Sequence, residues 1–171
     1  MSKNIIATTS ARARMLTSEE IAEIDHEIDL YPDKQAVGLE ALKIVQKHQG
    51  WVSDESMLAI AKYLDIPISD LEGVATFFNL VYRQPVGRNV ILFCNSVSCW
   101  IMGCKSMRAH INDRLCVDFG ETTEDKEFTF LPVPCLGDCD KSSVMMVGDD
   151  LHRNLSKEGI DKIISEYKTR S

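Results

Sequence analysis

All six cysteines of this 171-residue chain lie between Cys94 and Cys139, and four of them form two close pairs, Cys94-x4-Cys99 and Cys135-x3-Cys139. That grouping restricts the fold more than any other feature. Met1 to Met15 holds no apolar run of the kind a secretory signal needs. No stretch reaches the roughly 18 apolar residues of a membrane span. The chain is therefore expected in a reducing compartment and soluble when isolated. A disulfide framework explains grouped cysteines poorly there, whereas metal or redox chemistry explains them well.

The cysteine pairs sit in a half of the chain that reads as mixed α and β. Val90-Ile91-Leu92-Phe93, within Asn89–Phe93, is a compact apolar run and predicts a buried strand ahead of the first pair. A helix is expected over Met102–Leu115, a polar turn over Gly120–Lys126, and a strand over Glu127–Leu131 that Pro132 ends. Val144–Val147 predicts another strand, with Gly148-Asp149-Asp150 as a hairpin turn. Ser156 then caps a last helix carrying Ile160, Ile163, Ile164 and Tyr167. This order suits a small four-stranded sheet flanked by helices, as in thioredoxin-like folds.

The other half reads as four short helices, the pattern of a small bundle. Thr17 and Glu20 have capping-box spacing before Ile21, Ile24 and Ile28, and Pro32 stops that run. A second helix is expected over Lys34–Gln49, with Val37, Leu42 and Val45 on one face and Gly50 as its terminating glycine. A third begins near Ser53–Asp54, carries Leu58, Ala61 and Leu64, and ends before Pro67. Ser69 and Glu72 predict a capping box for a fourth helix through Val74 and Phe77. The fold class is α+β: a tail over residues 1–16, an N-terminal helical bundle over 17–86, and a thioredoxin-like domain over 87–171. Arg12 and Arg14, near Ser and Thr, give the tail only a faint transit-peptide character.

Each cysteine pair follows an expected strand, and loops at strand ends can converge on one side of a sheet. Four thiolates are the ligand set of a [2Fe–2S] cluster. Each iron takes two cysteines, so a pair must wrap one edge of the cluster. Spacing wider than Cys-x2-Cys suits that task, and Gly137 gives the second loop backbone freedom. Ser96, Ser98 and backbone N–H groups are candidate donors to sulfur. Cys94, Cys99, Cys135 and Cys139 are therefore the candidate ligands. A structural zinc site uses four cysteines as well, usually at tighter knuckle spacing, and stands as the alternative. Cys104 lies on the expected helix and Cys116 at its end, and both are assigned to packing. His26, His48, His110 and His152 are dispersed, which disfavours a Rieske centre with its two histidine ligands.

Other classes find little support. The formal net charge is −7 and no basic block exists, against nucleic acid and against a polybasic membrane patch. Neither G-x-G-x-x-G nor G-x-x-x-x-G-K-[ST] occurs, so a nucleotide fingerprint is missing. No catalytic group is assigned. A one-electron carrier without its own nucleotide site needs a donor and an acceptor on other chains. Trp51, Phe77, Phe78 and Tyr82 are read mainly as core, with a partner-facing patch as the other reading.

The same residues carry a resemblance. The cysteine pattern, with Cys135-Leu136-Gly137-Asp138-Cys139, resembles that of the thioredoxin-like [2Fe–2S] subunits of respiratory NADH:quinone oxidoreductase (complex I), the bacterial E-subunit family. So do Glu40-Ala41-Leu42-Lys43-Ile44-Val45-Gln46-Lys47, Gly50-Trp51-Val52, Glu72-Gly73-Val74-Ala75-Thr76-Phe77-Phe78, Arg83-Gln84-Pro85-Val86-Gly87-Arg88 and Gly103. The resemblance spans roughly residues 17 to 168. It implies a helical bundle before a thioredoxin-like [2Fe–2S] ferredoxin domain, with one cluster on the four matching cysteines. It implies an oxidoreductase component without a complete active site of its own. Its partners would be the flavoprotein subunit that binds NADH and FMN and other peripheral-arm subunits, on the cytoplasmic side of the bacterial inner membrane. Membrane contact would be indirect. The equivalent diaphorase subunit of an NAD-linked hydrogenase or formate dehydrogenase is the alternative assembly. Ser142-Ser143 stands where many members carry Ala-Pro, Pro134 where an acidic residue often precedes the third ligand, and Gly148 where a later Asn is common.

Overall fold

The computed structural model describes residues 14–170. Most of the expected tail, residues 1–16, including Arg12 and its transit-peptide character, lies outside them. The chain divides into two compact units, one ending at Pro85 and the other beginning at Val86.

The first unit is built from α1 (Ser18–Leu30), α2 (Gly38–Gln49), α3 (Asp54–Leu64) and α4 (Ile68–Phe77), with α2 packed against the other three. Local chemistry sets most of the ends. The Thr17 hydroxyl accepts from the Glu20 N–H while the Glu20 carboxylate accepts from the Thr17 N–H, so two orphan donors of α1 are satisfied. Gly50, at φ +82, lets α2 end in a left-handed turn and return its N–H to Gln46 O. Ser53 caps α3. Ile24, Leu42, Val45, Met57, Ile60, Leu64 and Leu71 are at most 1% exposed. Each such side chain contributes about 1.5–3 kcal/mol, so this core, rather than helix propensity, holds the short helices.

Three expectations for this unit are corrected. The second helix starts at Gly38, not Lys34, because Asp33 accepts the Gln35 N–H and draws the preceding residues into turns. Ser69 does not cap the fourth helix. That helix begins at Ile68 after Pro67, and the Ser69 hydroxyl bonds Asp70. Phe77 and Phe78 are not core residues: they are 80% and 40% exposed, in edge-to-face contact with each other.

The second unit is a five-stranded sheet with helices. Its elements are β1 (Asn89–Cys94), α5 (Val97–Ile101), α6 (Cys104–Leu115), β2 (Glu121–Thr122), β3 (Phe128–Val133), β4 (Met145–Val147), β5 (Asp150–His152) and α7 (Lys157–Thr169). The strand order is β2-β3-β1-β4-β5. β1 runs parallel to β3, with Cys94 beside Val133, and antiparallel to β4, with Phe93 beside Met145. Ile91 to Cys94 are all buried, as befits a central strand covered on both faces. Phe93 and Phe130 meet edge to face at 5.8 Å, and Phe128, Ile111, Met145 and Ile160 fill the same core.

The sheet has five strands instead of the expected four. β2 is two residues within the segment expected to be only a turn, paired with Thr129 and Phe130. β5 returns from β4 through the two-residue loop Gly148-Asp149. Pro132 does not end β3. It stays in register beside Phe93. The Asn89 and Asn95 N–H groups bond Glu127 O and Val133 O, whereas the Phe130 carbonyl accepts from Gly120 on the opposite side. By strand alternation Pro132 faces that opposite side, beyond the end of β2, and its missing N–H breaks no ladder bond there.

Candidate metal centre

Parallel pairing of β1 and β3 brings both cysteine loops out of the same end of the sheet. Cys94 is the last residue of β1. The chain then turns into α5, a helix the spacing did not disclose, and Cys99 lies on it. Cys135 follows β3 by two residues, and Cys139 opens a single 3₁₀ turn, Cys139–Lys141, that leads toward β4. Cys94 and Cys99 are each 1% exposed, whereas Cys135 and Cys139 face solvent.

Interactions link the four thiols in a ring. Cys135 Sγ and Cys139 Sγ are 3.7 Å apart. Cys94 interacts with Cys99 in its own loop and with Cys135 across the gap. Cys139 lies in the field of Cys99. Among the described residues no three His, Cys, Asp or Glu side chains are grouped as a single-ion site. The sulfurs stand two by two, one pair from each loop.

Hydrogen-bond donors surround the ring. Gly137 sits at φ +83, a left-handed conformation natural to glycine, and its N–H reaches Cys135 Sγ at 3.3 Å. That contact, followed by the Cys139 thiol, draws Cys135 below the ordinary thiol range. Burial pushes Cys94 upward, against the Ser96 and Leu136 N–H groups that face its sulfur. Cys139 is raised because its neighbour Cys135 competes for negative charge, while the Ser98 hydroxyl acts the other way. The Cys94 thiol also approaches Pro134 O at 4.0 Å, and Cys99 Sγ lies 3.6 Å from Ser142 Oγ. The Ser142–Ser143 peptide is cis. Asp138, between the last two cysteines, is paired with Arg153 and is held on the loop.

This donor set fits a [2Fe–2S] cluster. It offers four soft sulfurs divided into two pairs, with N–H and O–H groups placed to stabilise thiolate charge. Cys104 is outside the ring. It is buried at the start of α6, and its thiol is raised chiefly by that burial. Cys116 is not a packing residue, contrary to expectation. It is the left-handed C-cap of α6 and is exposed, because the chain turns away from the core there. His110 pairs with Asp161 on α7, and His48 with Glu23. Ser142 has no signal in cysteine spacing; only folding brings it beside Cys99.

Two cysteine pairs at one end of a thioredoxin-like sheet suit an iron–sulfur protein, and the chain belongs to the thioredoxin-like [2Fe–2S] ferredoxin family, whose model matches residues 24–168. Within that class it is similar to the E subunit of NADH-quinone oxidoreductase from Escherichia coli (strain K12), with 48% identity over 153 residues that cover 90% of this chain and 92% of that protein. The corresponding protein of Buchnera aphidicola subsp. Acyrthosiphon pisum is 47% identical, covering 90% of this chain and 94% of that one. The fold also matches a crystal structure of NAD+-reducing [NiFe]-hydrogenase in the air-oxidized state, with a TM-score of 0.67 and 17% identity. That match covers 78% of this chain and 23% of the hydrogenase chain. Among the described residues no helix is long and apolar enough to cross a membrane.

Proposed function

We propose that this chain is the E subunit of a bacterial NADH:quinone oxidoreductase and holds one [2Fe–2S] cluster on Cys94, Cys99, Cys135 and Cys139. The observation that carries the ligand assignment is the ring of four sulfurs, two from each strand-end loop. When bound, the cluster supplies one-electron storage and transfer. The residues of this chain supply the rest. The four sulfurs hold the metal, the Gly137, Ser96 and Leu136 N–H groups stabilise charge on it, and the buried pair Cys94 and Cys99 anchors it to the core.

The partner is the NADH- and FMN-binding flavoprotein of the same complex, and this chain exchanges single electrons with that flavin. The assembly is the peripheral arm on the cytoplasmic side of the inner membrane. Identity of 46–48% with the E subunits of three bacteria, over nearly their full lengths, supports this reading. A diaphorase subunit of an NAD-reducing hydrogenase is the second reading, favoured only by the likeness of fold.

Anaerobic purification with counts of iron and acid-labile sulfide tests the cofactor. Two of each per chain and an S = 1/2 EPR signal after dithionite reduction are expected. One zinc with no sulfide rejects it. Affinity capture of the tagged chain tests the assembly: recovery of an FMN-containing protein with membrane-arm components supports complex I, and recovery of a nickel–iron protein overturns it.

A further inference from the structure

The hydroxyl of Ser142 stands between the two cysteine loops. Its Oγ donates to Cys139 O at 2.8 Å and lies 3.6 Å from Cys99 Sγ, where it can accept from the thiol. Ser142 thus joins a cysteine of the second loop to a buried cysteine of the first. A serine hydroxyl has one proton to give and two lone pairs. With both thiol and hydroxyl protonated, the chain S–H to O–H to O=C is consistent from end to end.

Ligation changes that chain. A metal-bound cysteine is a thiolate with no proton to donate. If the hydroxyl kept its bond to Cys139 O, an oxygen lone pair would face the anionic sulfur. Rotation about Cβ–Oγ removes the conflict by turning the hydrogen toward Cys99 Sγ, with no movement of heavy atoms. A charged acceptor makes the stronger hydrogen bond. The Cys139 carbonyl that loses its partner belongs to a solvent-exposed residue, where water can replace the bond.

We propose that Ser142 is a positioning residue that donates its hydroxyl proton to the Cys99 sulfur in the loaded protein and thereby raises the reduction potential of the centre. A donor to sulfur stabilises the reduced state more than the oxidised one, since the reduced centre carries one more negative charge. The Gly137, Ser96 and Leu136 N–H groups are fixed by the backbone. The Ser142 proton instead has two acceptors and chooses between them, so a single side chain sets this contribution. The inference rests on Cys99 being a cluster ligand, as proposed above.

The test compares wild type, Ser142→Ala and Ser142→Thr by EPR-monitored redox titration with dithionite and mediators, after iron and sulfide counts on each. At a fixed applied potential the Ser142→Ala protein is expected to show a reduced-to-oxidised ratio about tenfold lower, a shift of about 59 mV for one electron. Ser142→Thr, which keeps the hydroxyl, is expected to stay within about twofold of wild type. An unchanged midpoint in Ser142→Ala, or an equal shift in Ser142→Thr, overturns the proposal. A crystal structure of the loaded wild-type chain gives a second measurement independent of the variants. Ser142 Oγ within hydrogen-bond reach of Cys99 Sγ supports the proposal, and a hydroxyl turned away overturns it. Absence of iron and sulfide from wild type would instead overturn the cofactor reading itself.

Discussion

The carboxylate of Glu20 lies 2.6 Å from the guanidinium of Arg14, and none of the Glu20 side chain is exposed. Glu20 also accepts from the Thr17 N–H at 2.8 Å and from the Gln49 side chain at 2.9 Å, so one buried carboxylate ties the entry of α1 to the end of α2. Glu20→Ala leaves these donors without their acceptor. It is expected to destabilise the helical unit by about 2–3 kcal/mol, read as a lower urea midpoint with the helical far-UV signal retained below it.

The same carboxylate gives the unit an acid limit. Burial alone would raise its pKa, but the Thr17 N–H and Arg14, with Gln49, outweigh burial and hold it below the ordinary glutamate value. A lowered folded-state pKa means that the unfolded chain binds the proton more readily. The stabilisation is complete above the unfolded value of about 4.3 and is lost as pH falls through the lower folded value. Glu20→Gln is expected to flatten the stability profile below that pH and to leave its slope near neutrality unchanged, as urea titrations at several pH values would reveal.

Gly87 marks a tight entry into β1. A Cβ there would meet the Phe128 carbonyl carbon at 2.8 Å and its nitrogen at 2.9 Å. The Gly87 N–H donates to Thr129 Oγ1 at 2.6 Å, which holds the two segments together. Backbone atoms of a central sheet cannot step aside, so Gly87→Ala is expected to cost about 3 kcal/mol. Thermal unfolding followed by the visible absorbance of the loaded protein measures it. A melting temperature equal to that of wild type would refute the packing argument.

The six cysteines divide by position. Cys135→Ser removes an exposed member of the sulfur ring and the acceptor of the Gly137 N–H. It is expected to reduce bound iron to less than about a tenth of wild type, because serine is a poor replacement for a thiolate toward iron. Cys104→Ser alters a buried residue outside the ring and is expected to keep the full iron content while losing about 1 kcal/mol of stability. Equal iron loss in the two variants would show that the ring has been wrongly drawn.

Much of this was legible in the chain itself, where a signal is local. Thr17 with Glu20, Gly50, Ser53 and Ser156 act within one helical turn; Gly50 ends a helix in the structure and the others open one. The apolar run before Cys94 became a central strand because it has no polar face to offer water. Signals failed where a distant partner decides. Pro132 reads as a stop, yet its neighbour β2 ends too early to need its N–H. Phe77 and Phe78 read as core by hydrophobicity alone, but the end of α4 leaves them outside. The four candidate ligands stand out by their pairing, whereas Ser142 is distinguished only by where the fold delivers it.

The parallel alignment of β1 with β3 also orders events during synthesis. A ribosome exposes Cys94 and Cys99 before Cys135 has been made, and the intervening crossover must fold back before the two pairs can meet. Pairing across such a crossover is slow relative to local helix formation. Until Cys135 and Cys139 are made, iron offered to the nascent chain finds only half of the proposed ligand set. With the proposed ligands, the cluster can be received only once β3 lies beside β1, and any delay in closing the sheet prolongs the interval in which unprotected thiols are open to oxidation.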